Sequence, residues 1–275
     1  MRTAAIALLL ILPGLSSPVG STIVNAASGP MALVAAKASL GSDLAVAGRL
    51  TAAALQKVAA ANQESATPGI RTRVNPKDGL TYVWIPPGRF MMGCSPGDTE
   101  CTPEETPARE VTIAKGFWIG QTLVTQAAYQ RVTGANPSYF KGTGQLPVET
   151  LNWDDANNYC KAAGGRLPAE TEWEYAARGG TPGARYGNPD DVAWYSANSG
   201  NKTHEVGQKP PNAYGLYDML GNLWEWLADT HEEGKYRPLR GGSWASNTRD
   251  VRVSYRYREE VHGHYNGYGI RCVED

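Results

Sequence analysis

The chain has 275 residues, of which 41% are hydrophobic and 19% are charged, and its formal net charge is −1. This composition provides enough apolar material for one sizeable globular core. A charge so close to zero gives no electrostatic reason to expect nucleic acid or an anionic membrane surface as a partner. We therefore predict one main domain that binds no nucleic acid.

The N-terminal residues have the pattern of a secretory signal. Arg2 precedes a short apolar run that ends at Pro13, and this run is too short to span a membrane. Small residues around Ala26 provide a cleavage site of the required type. We predict a signal peptide over residues 1–26 and an exported mature chain, periplasmic or secreted, without a membrane span. A retained signal anchor is the alternative.

Export changes the interpretation of the four cysteines, because an oxidising compartment favours disulfides over metal thiolates. Four cysteines allow three pairings. Cys94 and Cys101 flank a turn-rich segment that could form a local disulfide, and Cys160 would then pair with Cys272. That second disulfide would contribute on the order of 4 kcal/mol through loop entropy. Buried free thiols are the alternative for each pair.

The rest of the chain divides into two parts of different composition. Residues 27–73 form an Ala-rich segment with a helical pattern, followed by a linker rich in Pro, Gly and polar residues. The main domain is predicted over residues 74–275, which hold all eight tryptophans and many turns, so we expect a loop-rich core. Short strands are predicted at residues 82–85, 111–113 and 117–119, and helices at 124–132, 153–163 and 169–178. This mixture predicts an α+β fold.

Three motifs near the C-terminus carry a family resemblance. They are residues 215–226, Gly-Gly-Ser-Trp at 241–244 and Gly-Ile-Arg-Cys at 269–272. Together with residues 84–93 and 165–178, in the same order, they resemble the formylglycine-generating enzyme family, also called the sulfatase-modifying-factor family. The resemblance covers residues 79–275. It implies an irregular, loop-rich α+β fold related to C-type lectin-like domains, and it places Cys160 and Cys272 at the positions of a family disulfide.

Two carboxylates within eight residues predict a cation site. Asp218 and Glu225 are separated by a stretch whose backbone could bend around a hard cation, and oxygen ligands of this kind suit calcium. The resemblance implies a structural calcium ion held by the side chains of Asp218 and Glu225 and the carbonyls of Gly221 and Leu223. Two solvated or salt-bridged acids are the alternative. A second calcium site of the family, near Asn198, lacks its expected aspartate and is not assigned.

The resemblance also bears on catalysis. The oxidase members bind copper with a cysteine pair, and the matching positions here are Ser246 and Val251. A hydroxyl and an isopropyl group cannot replace thiolate ligands, so we expect neither copper nor formylglycine generation. The chain resembles a periplasmic branch of the family, which includes the pyoverdine-maturation protein and also lacks the cysteine pair. The iron-binding role of other relatives is excluded, because no histidine precedes Val74.

A basic, aromatic segment over residues 235–258 predicts a ligand groove. Valines and tyrosines alternate there with arginines, and an extended strand would place rings on one face and guanidinium groups on the other. Most individual arginines are expected to satisfy buried carboxylates and carbonyls instead. The candidate groove residues are Ser243, Trp244, Ser246, Arg249 and Tyr255. His262 and His264 could bind a transition metal, although a polar loop of this kind is usually solvated.

Two functions remain open for this groove. In the first, the protein modifies or oxidises an exported peptide or small molecule there, with no catalytic base or nucleophile identified from the sequence. In the second, it is a non-catalytic, lectin-like module that binds a ligand or another protein through residues 245–268. The polar, aromatic-rich composition of that segment is typical of recognition surfaces.

Overall fold

The computed structural model describes residues 69–275. The predicted signal peptide and most of the predicted segment 27–73 lie outside the described residues. Within the described part, no helix combines the length and the apolar character needed to cross a membrane.

One four-stranded antiparallel sheet joins the start of the domain to its end. It contains β1 (Thr72–Val74), β2 (Thr81–Ile85), β5 (Phe117–Gly120) and β10 (Val273–Glu274), in the order β1-β2-β5-β10. Ile119 pairs with Val83 on one side and with Val273 on the other. The C-terminal strand therefore becomes part of a sheet that begins about two hundred residues earlier.

Two further sheets complete the strands. The strands β3 (Gly88–Met92) and β4 (Arg109–Ile113) form an antiparallel hairpin. The third sheet contains β6 (Trp224–Trp226), β7 (Tyr236–Arg240), β8 (Tyr257–Glu260) and β9 (Tyr268–Gly269), in the order β8-β7-β6-β9. The pair β6 and β9 is parallel. The predicted calcium site and the predicted ligand groove both lie beside this sheet.

The three predicted helices are confirmed, with small changes in their bounds. They are α1 (Gln126–Thr133), α2 (Trp153–Ala163) and α3 (Glu170–Arg178), and a short α4 (Pro189–Val192) follows them. The hydroxyl of Thr125 accepts a hydrogen bond from the backbone N–H of Ala128, which caps α1. Asn152 caps α2 in the same way, and α2 ends at Gly164 in the left-handed conformation that glycine tolerates.

The core is formed by two groups of buried side chains. The first surrounds the fully buried indole of Trp173 on α3 and includes Ile85, Ile119 and Leu220. The second packs α2 against the third sheet, with Tyr159 and Cys160 near Trp226 and Ile270. Burial of these large side chains is the main favourable contribution to folding, at roughly 25 cal/mol per Å² of apolar surface.

The structure contains both disulfides that the sequence suggested. Cys94 and Cys101 lie seven residues apart, and their Cα atoms are separated by 5.8 Å. Cys160 of α2 is bonded to Cys272, 112 residues later, with a Cα separation of 5.5 Å. These bonds use all four cysteines of the chain. No cysteine of the chain is therefore a free thiol in the structure.

Candidate functional site

A groove of about 280 Å³ opens beside the third sheet. Strands β6, β8 and β9 provide Trp224, Tyr257 and Tyr268, and the loop between β7 and β8 provides the other lining residues. The lining residues are Trp224, Ser243, Ala245, Ser246, Asp250, Tyr255, Tyr257 and Tyr268. The combination of rings, hydroxyls and one carboxylate is typical of a ligand site, in which a few polar groups orient a molecule against apolar walls.

Three of the five groove residues chosen from the sequence, Ser243, Ser246 and Tyr255, line this groove. The other two lie outside its lining. The indole N–H of Trp244 donates to the carbonyl of Asn266 at 3.0 Å. The Arg249 guanidinium is exposed, and its Nε donates to a backbone carbonyl outside the groove at 3.4 Å.

The sequence interpretation missed the contributions of Trp224 and Tyr268. Trp224 lies within the motif that was interpreted as a calcium loop, and Tyr268 immediately precedes the family motif that contains Cys272. Their pairing across the parallel strands β6 and β9 brings both residues to the groove. This long-range pairing has no local sequence signal.

A tight turn after β7 positions the two serines. Gly241 and Gly242 have φ angles of +94° and +80°, and a Cβ atom added to Gly242 would lie 2.6 Å from a methyl group of Val251. Glycine is therefore required at this close approach. The backbone N–H of Ser243 donates to Oγ of Ser246 at 3.0 Å, which holds the second hydroxyl at the groove.

The two positions that the resemblance predicted to match the family's cysteine pair have different environments. Ser246 lines the groove, whereas Val251 is fully buried and belongs to the hydrophobic core. The isopropyl group of Val251 thus packs inside the protein, and of these two positions only Ser246 contributes a side chain to the groove. Because every cysteine is in a disulfide, the groove contains no thiol.

Asp250 is the carboxylate of the groove. Burial raises the pKa of Asp250 above its ordinary value, and the opposing effects of the Asn247 backbone, Arg249 and Arg252 do not cancel this increase. Among the described residues, no cationic group lies within 4.0 Å of its carboxylate oxygens. Its negative charge is therefore stabilised by hydrogen bonds and by more distant arginines, and burial outweighs them.

The segment before β8 corrects the sequence prediction of a long alternating strand. Residues 251–256 are irregular, and Arg252 is completely buried with the valines and Ser254. Its guanidinium donates to Asp98 and Glu105 at 2.7 Å, and the hydroxyl of Ser254 donates to Glu105 at 2.6 Å. Because these carboxylates neutralise the guanidinium, Arg252 can turn inward. The structural role expected for most arginines of this segment applies to Arg252.

The predicted calcium ligands lie together at the start of β6. Asp218 is buried and has a φ of +54°, and burial raises its pKa to about 6 despite a hydrogen bond from the Gly207 N–H at 2.7 Å. Among the described residues, no donor reaches the carbonyl oxygens of Gly221 and Leu223. The two carbonyl oxygens and the second oxygen of the Asp218 carboxylate are of the type that suits a hard cation.

Glu225 fits the calcium prediction less well. Arg271 donates to both of its carboxylate oxygens at 2.9–3.1 Å, and the indole N–H of Trp173 donates at 2.7 Å. The Arg271 and Glu225 side chains are 0% and 1% exposed. The salt-bridged alternative that the sequence left open therefore describes Glu225. Its participation in a calcium shell would require an oxygen shared between Arg271 and the ion.

The histidines do not form a metal cluster in the described part of the chain. His262 is exposed, and the Nε2 atom of His264 lies 3.2 Å from the side-chain amide of Asn152. Near the unassigned second calcium site, the ring of His204 stacks on Trp194 with centroids 3.7 Å apart. One group of three metal-ligating residues occurs among residues 69–275, namely Asp98, Cys101 and Glu105. Its cysteine is in a disulfide and Arg252 binds both acids.

The fold and the groove define a class of loop-rich α+β domains with a ligand groove beside a Gly-Gly-Ser turn. Residues 70–275 match the family described as "Sulfatase-modifying factor enzyme 1-like domain". This match covers most of the chain, and the chain belongs to that family, which includes the formylglycine-generating enzymes. The family resemblance noted in the sequence is therefore confirmed.

Several known proteins are similar to this chain. An inactive C-alpha-formylglycine-generating enzyme 2 of Mus musculus is 38% identical, over 70% of this chain and 84% of its own length. A formylglycine-generating enzyme of Streptomyces coelicolor is 33% identical, over 77% of this chain and 94% of its own length. The solved structure of PvdO from Pseudomonas aeruginosa has a TM-score of 0.67 and 27% identity, with 74% of this chain and 97% of that chain covered.

Other relatives match over only part of their length. A serine/threonine-protein kinase Pkn1 of Chlamydia trachomatis serovar L2 is 29% identical to this chain, which spans 40% of the length of that protein. The similarity is therefore to a portion of the kinase polypeptide.

Proposed function

We propose that this chain is an exported protein that binds a peptide or a small molecule in the groove between Trp224 and Ser246. One observation carries the proposal. The groove keeps an aromatic and hydroxyl lining, whereas Ser246 and buried Val251 occupy the positions of the family's cysteine pair. Binding thus needs no thiol and no copper. The mouse relative named as inactive is consistent with a role other than formylglycine generation.

Export is supported by the signal pattern at residues 1–26 and by the disulfides. Disulfides persist in the periplasm or outside the cell and are rare in reducing compartments. Both cysteine pairs of this chain are bonded in the structure. The proposed ligand is accordingly a molecule that is itself exported.

A second candidate function is chemical modification of the bound ligand. The raised pKa of Asp250 favours it, because a carboxylate with a raised pKa is a stronger base than an ordinary one. Tyr255 lines the same groove, and its phenol stabilises the charged form of Asp250. In this role Asp250 would accept a proton from the ligand. Mass spectrometry of ligands after incubation with the protein distinguishes modification from binding alone.

A blocked groove tests the proposal. Ala245 is exposed at the groove, so Ala245→Trp fills the groove without disturbing the core. We expect ligands found by thermal-shift screening of positional peptide and small-molecule libraries to lose at least about tenfold in affinity with this variant, which is about 1.4 kcal/mol. Calorimetric titration measures the change.

Ala162→Trp is the matched control, because Ala162 is exposed on α2 and does not line the groove. It should bind each ligand as the wild-type protein does. Equal affinities of the wild-type and Ala245→Trp proteins for every ligand would refute the groove as the binding site.

We also propose a structural calcium ion held by Asp218 and the carbonyls of Gly221 and Leu223, with Glu225 sharing an oxygen with Arg271. Calcium would add positive charge beside the buried Asp218, whose pKa stays raised despite the nearby Arg271. Millimolar calcium is expected to raise the melting temperature by several degrees relative to EGTA, since a ligand at 100 times its Kd stabilises by about 2.7 kcal/mol.

The calcium response should disappear in Asp218→Asn. It should remain in Asp154→Asn, because Asp154 is an exposed residue of α2 that is not among the proposed ligands. Identical melting curves of the wild-type protein in calcium and in EGTA would refute the proposed calcium site.

A further inference from the structure

The groove contains a carboxylate, that of Asp250, which forms no ion pair with any of the described residues. Asp250 is partly buried at the groove, and among the described residues no cation lies within 4.0 Å of its carboxylate. A carboxylate in this environment is stabilised by a cation that enters with a ligand. This requirement distinguishes the groove from one that binds a neutral or anionic molecule.

The walls of the groove are electron-rich aromatic rings. The ring of Trp224 lies 5.9 Å from that of Tyr255 and 5.5 Å from that of Tyr257, measured between centroids. The three rings and Tyr268 line one continuous groove. The faces of such rings carry negative electrostatic potential and attract ammonium groups, and indole attracts them most strongly.

The hydroxyls of two tyrosines connect the groove to a second carboxylate. Tyr268 donates to Glu259 at 2.8 Å, and Tyr257 donates to the same oxygen at 3.3 Å. Donation of the phenolic hydrogens toward Glu259 increases the electron density on the rings that line the groove. Glu259 thereby adds negative potential to the wall formed by Tyr257 and Tyr268.

The nearby arginines act on the groove from outside its lining. Arg249 and Arg252 partly offset the rise that burial causes in the pKa of Asp250. The Arg252 guanidinium lies 5.5 Å from the centroid of the Tyr255 ring. The Arg252 guanidinium is bound by Asp98 and Glu105 on the side of the Cys94–Cys101 disulfide. Arg249 is exposed and donates from Nε to the carbonyl of Glu100. Neither side chain belongs to the groove lining. The lining therefore contains one acid and no base.

We propose that the groove recognises a cationic amine, with the ammonium group held against the rings of Trp224, Tyr255 and Tyr257 and paired with the Asp250 carboxylate. The ligand class is an exported peptide or small molecule that bears a primary or methylated amine. Ser243 and Ser246 provide hydroxyls for the polar groups adjacent to the amine. The inference rests on the proposed function, because it names the chemical class of the ligand bound at that same groove.

A pair of probes of equal shape tests the charge requirement. Choline carries a trimethylammonium group, and 3,3-dimethylbutan-1-ol has a neutral tert-butyl group in its place. We expect choline to bind the full chain at least about tenfold more tightly than the neutral alcohol, as measured by calorimetric titration. Equal affinities for the two probes, or no binding of choline at millimolar concentration, would overturn the inference.

Two variants assign the effect to the groove. Asp250→Asn keeps the side-chain shape and should weaken choline binding about tenfold without changing the affinity for the neutral alcohol. Tyr257→Leu removes a ring that is 38% exposed, so the fold should survive while choline binding weakens severalfold. Asp154→Asn, at an exposed aspartate of α2, should leave both affinities unchanged. Full choline affinity in Asp250→Asn would contradict the proposed pairing.

The failure of this inference is distinguishable from the failure of the proposed function. If the library ligands bind wild-type protein but not Ala245→Trp, while choline shows no preference over its neutral counterpart, the groove binds ligands of another class. If the library ligands bind both proteins equally, the groove is not the binding site, and the cationic-amine assignment fails with it.

Discussion

Replacement of Cys160 and Cys272 by alanine is expected to lower the free energy of unfolding by about 4–5 kcal/mol. The disulfide joins residues 112 positions apart, and its loss restores the entropy of a long loop to the unfolded chain. It also releases α2 from the segment that leads into β10. Urea unfolding followed by tryptophan fluorescence, without reductant, measures the change.

Replacement of Cys94 and Cys101 by alanine is the matched control. These cysteines are only seven positions apart, so loop entropy predicts a smaller loss of about 2–3 kcal/mol. Equal losses for the two double variants would show that loop length does not determine the contribution of the long disulfide.

Arg252→Met is expected to lower the free energy of unfolding by about 3–5 kcal/mol. The side chains of Arg252 and Glu105 are 0% exposed and that of Asp98 is 6% exposed, so removal of the guanidinium leaves two uncompensated carboxylates inside the protein. The segment that carries Asp250 and Tyr255 should also lose its fixed position. The variant is therefore expected to bind groove ligands more weakly as well.

The free energy of unfolding lost in Arg252→Met should depend on pH. Burial alone would raise the pKa of Glu105, but hydrogen bonds from Arg252 and Ser254 outweigh it and lower the pKa below 4.5. The pair therefore stabilises the fold fully above that ordinary value, and its contribution disappears as the pH falls through the lowered pKa. The difference between wild-type and variant stability should accordingly be largest at neutral pH and decrease in acid.

Arg89→Met provides the control for the loss of a positive charge. Arg89 pairs with Glu110 at 3.5 Å, with side chains 70% and 62% exposed. An exposed pair of this kind contributes no more than about 0.5 kcal/mol to the free energy of unfolding. A comparable loss in Arg89→Met and Arg252→Met would contradict the role given to burial.

Local signals in the sequence predicted the parts of the fold that depend on neighbouring residues. Thr125 and Asn152 precede helices that they cap, and Gly164 ends α2 in a conformation that glycine favours. The short apolar runs that become β2 and β5 were also visible. These features are determined within a few residues along the chain.

Features that depend on distant partners could not be predicted in the same way. The buried position of Arg252 requires Glu105, which lies 147 residues earlier, so its alternation with valines suggested a strand instead. Likewise, Glu225 of β6 binds Arg271, which lies 46 residues later in the chain. The aromatic wall of the groove arises from the parallel pairing of β6 and β9. Family motifs marked these positions without indicating their contacts.

The central claim is that the groove lined by Trp224, Ser243 and Tyr255 is the ligand site of this protein. A crystal structure of the complex with the tightest library ligand tests it most directly. We predict electron density for the ligand against the exposed faces of the Trp224 and Tyr255 rings, in contact with Ser243. Density in the separate cavity beside Asp78 and Arg131, with the Trp224 groove empty, would contradict the account.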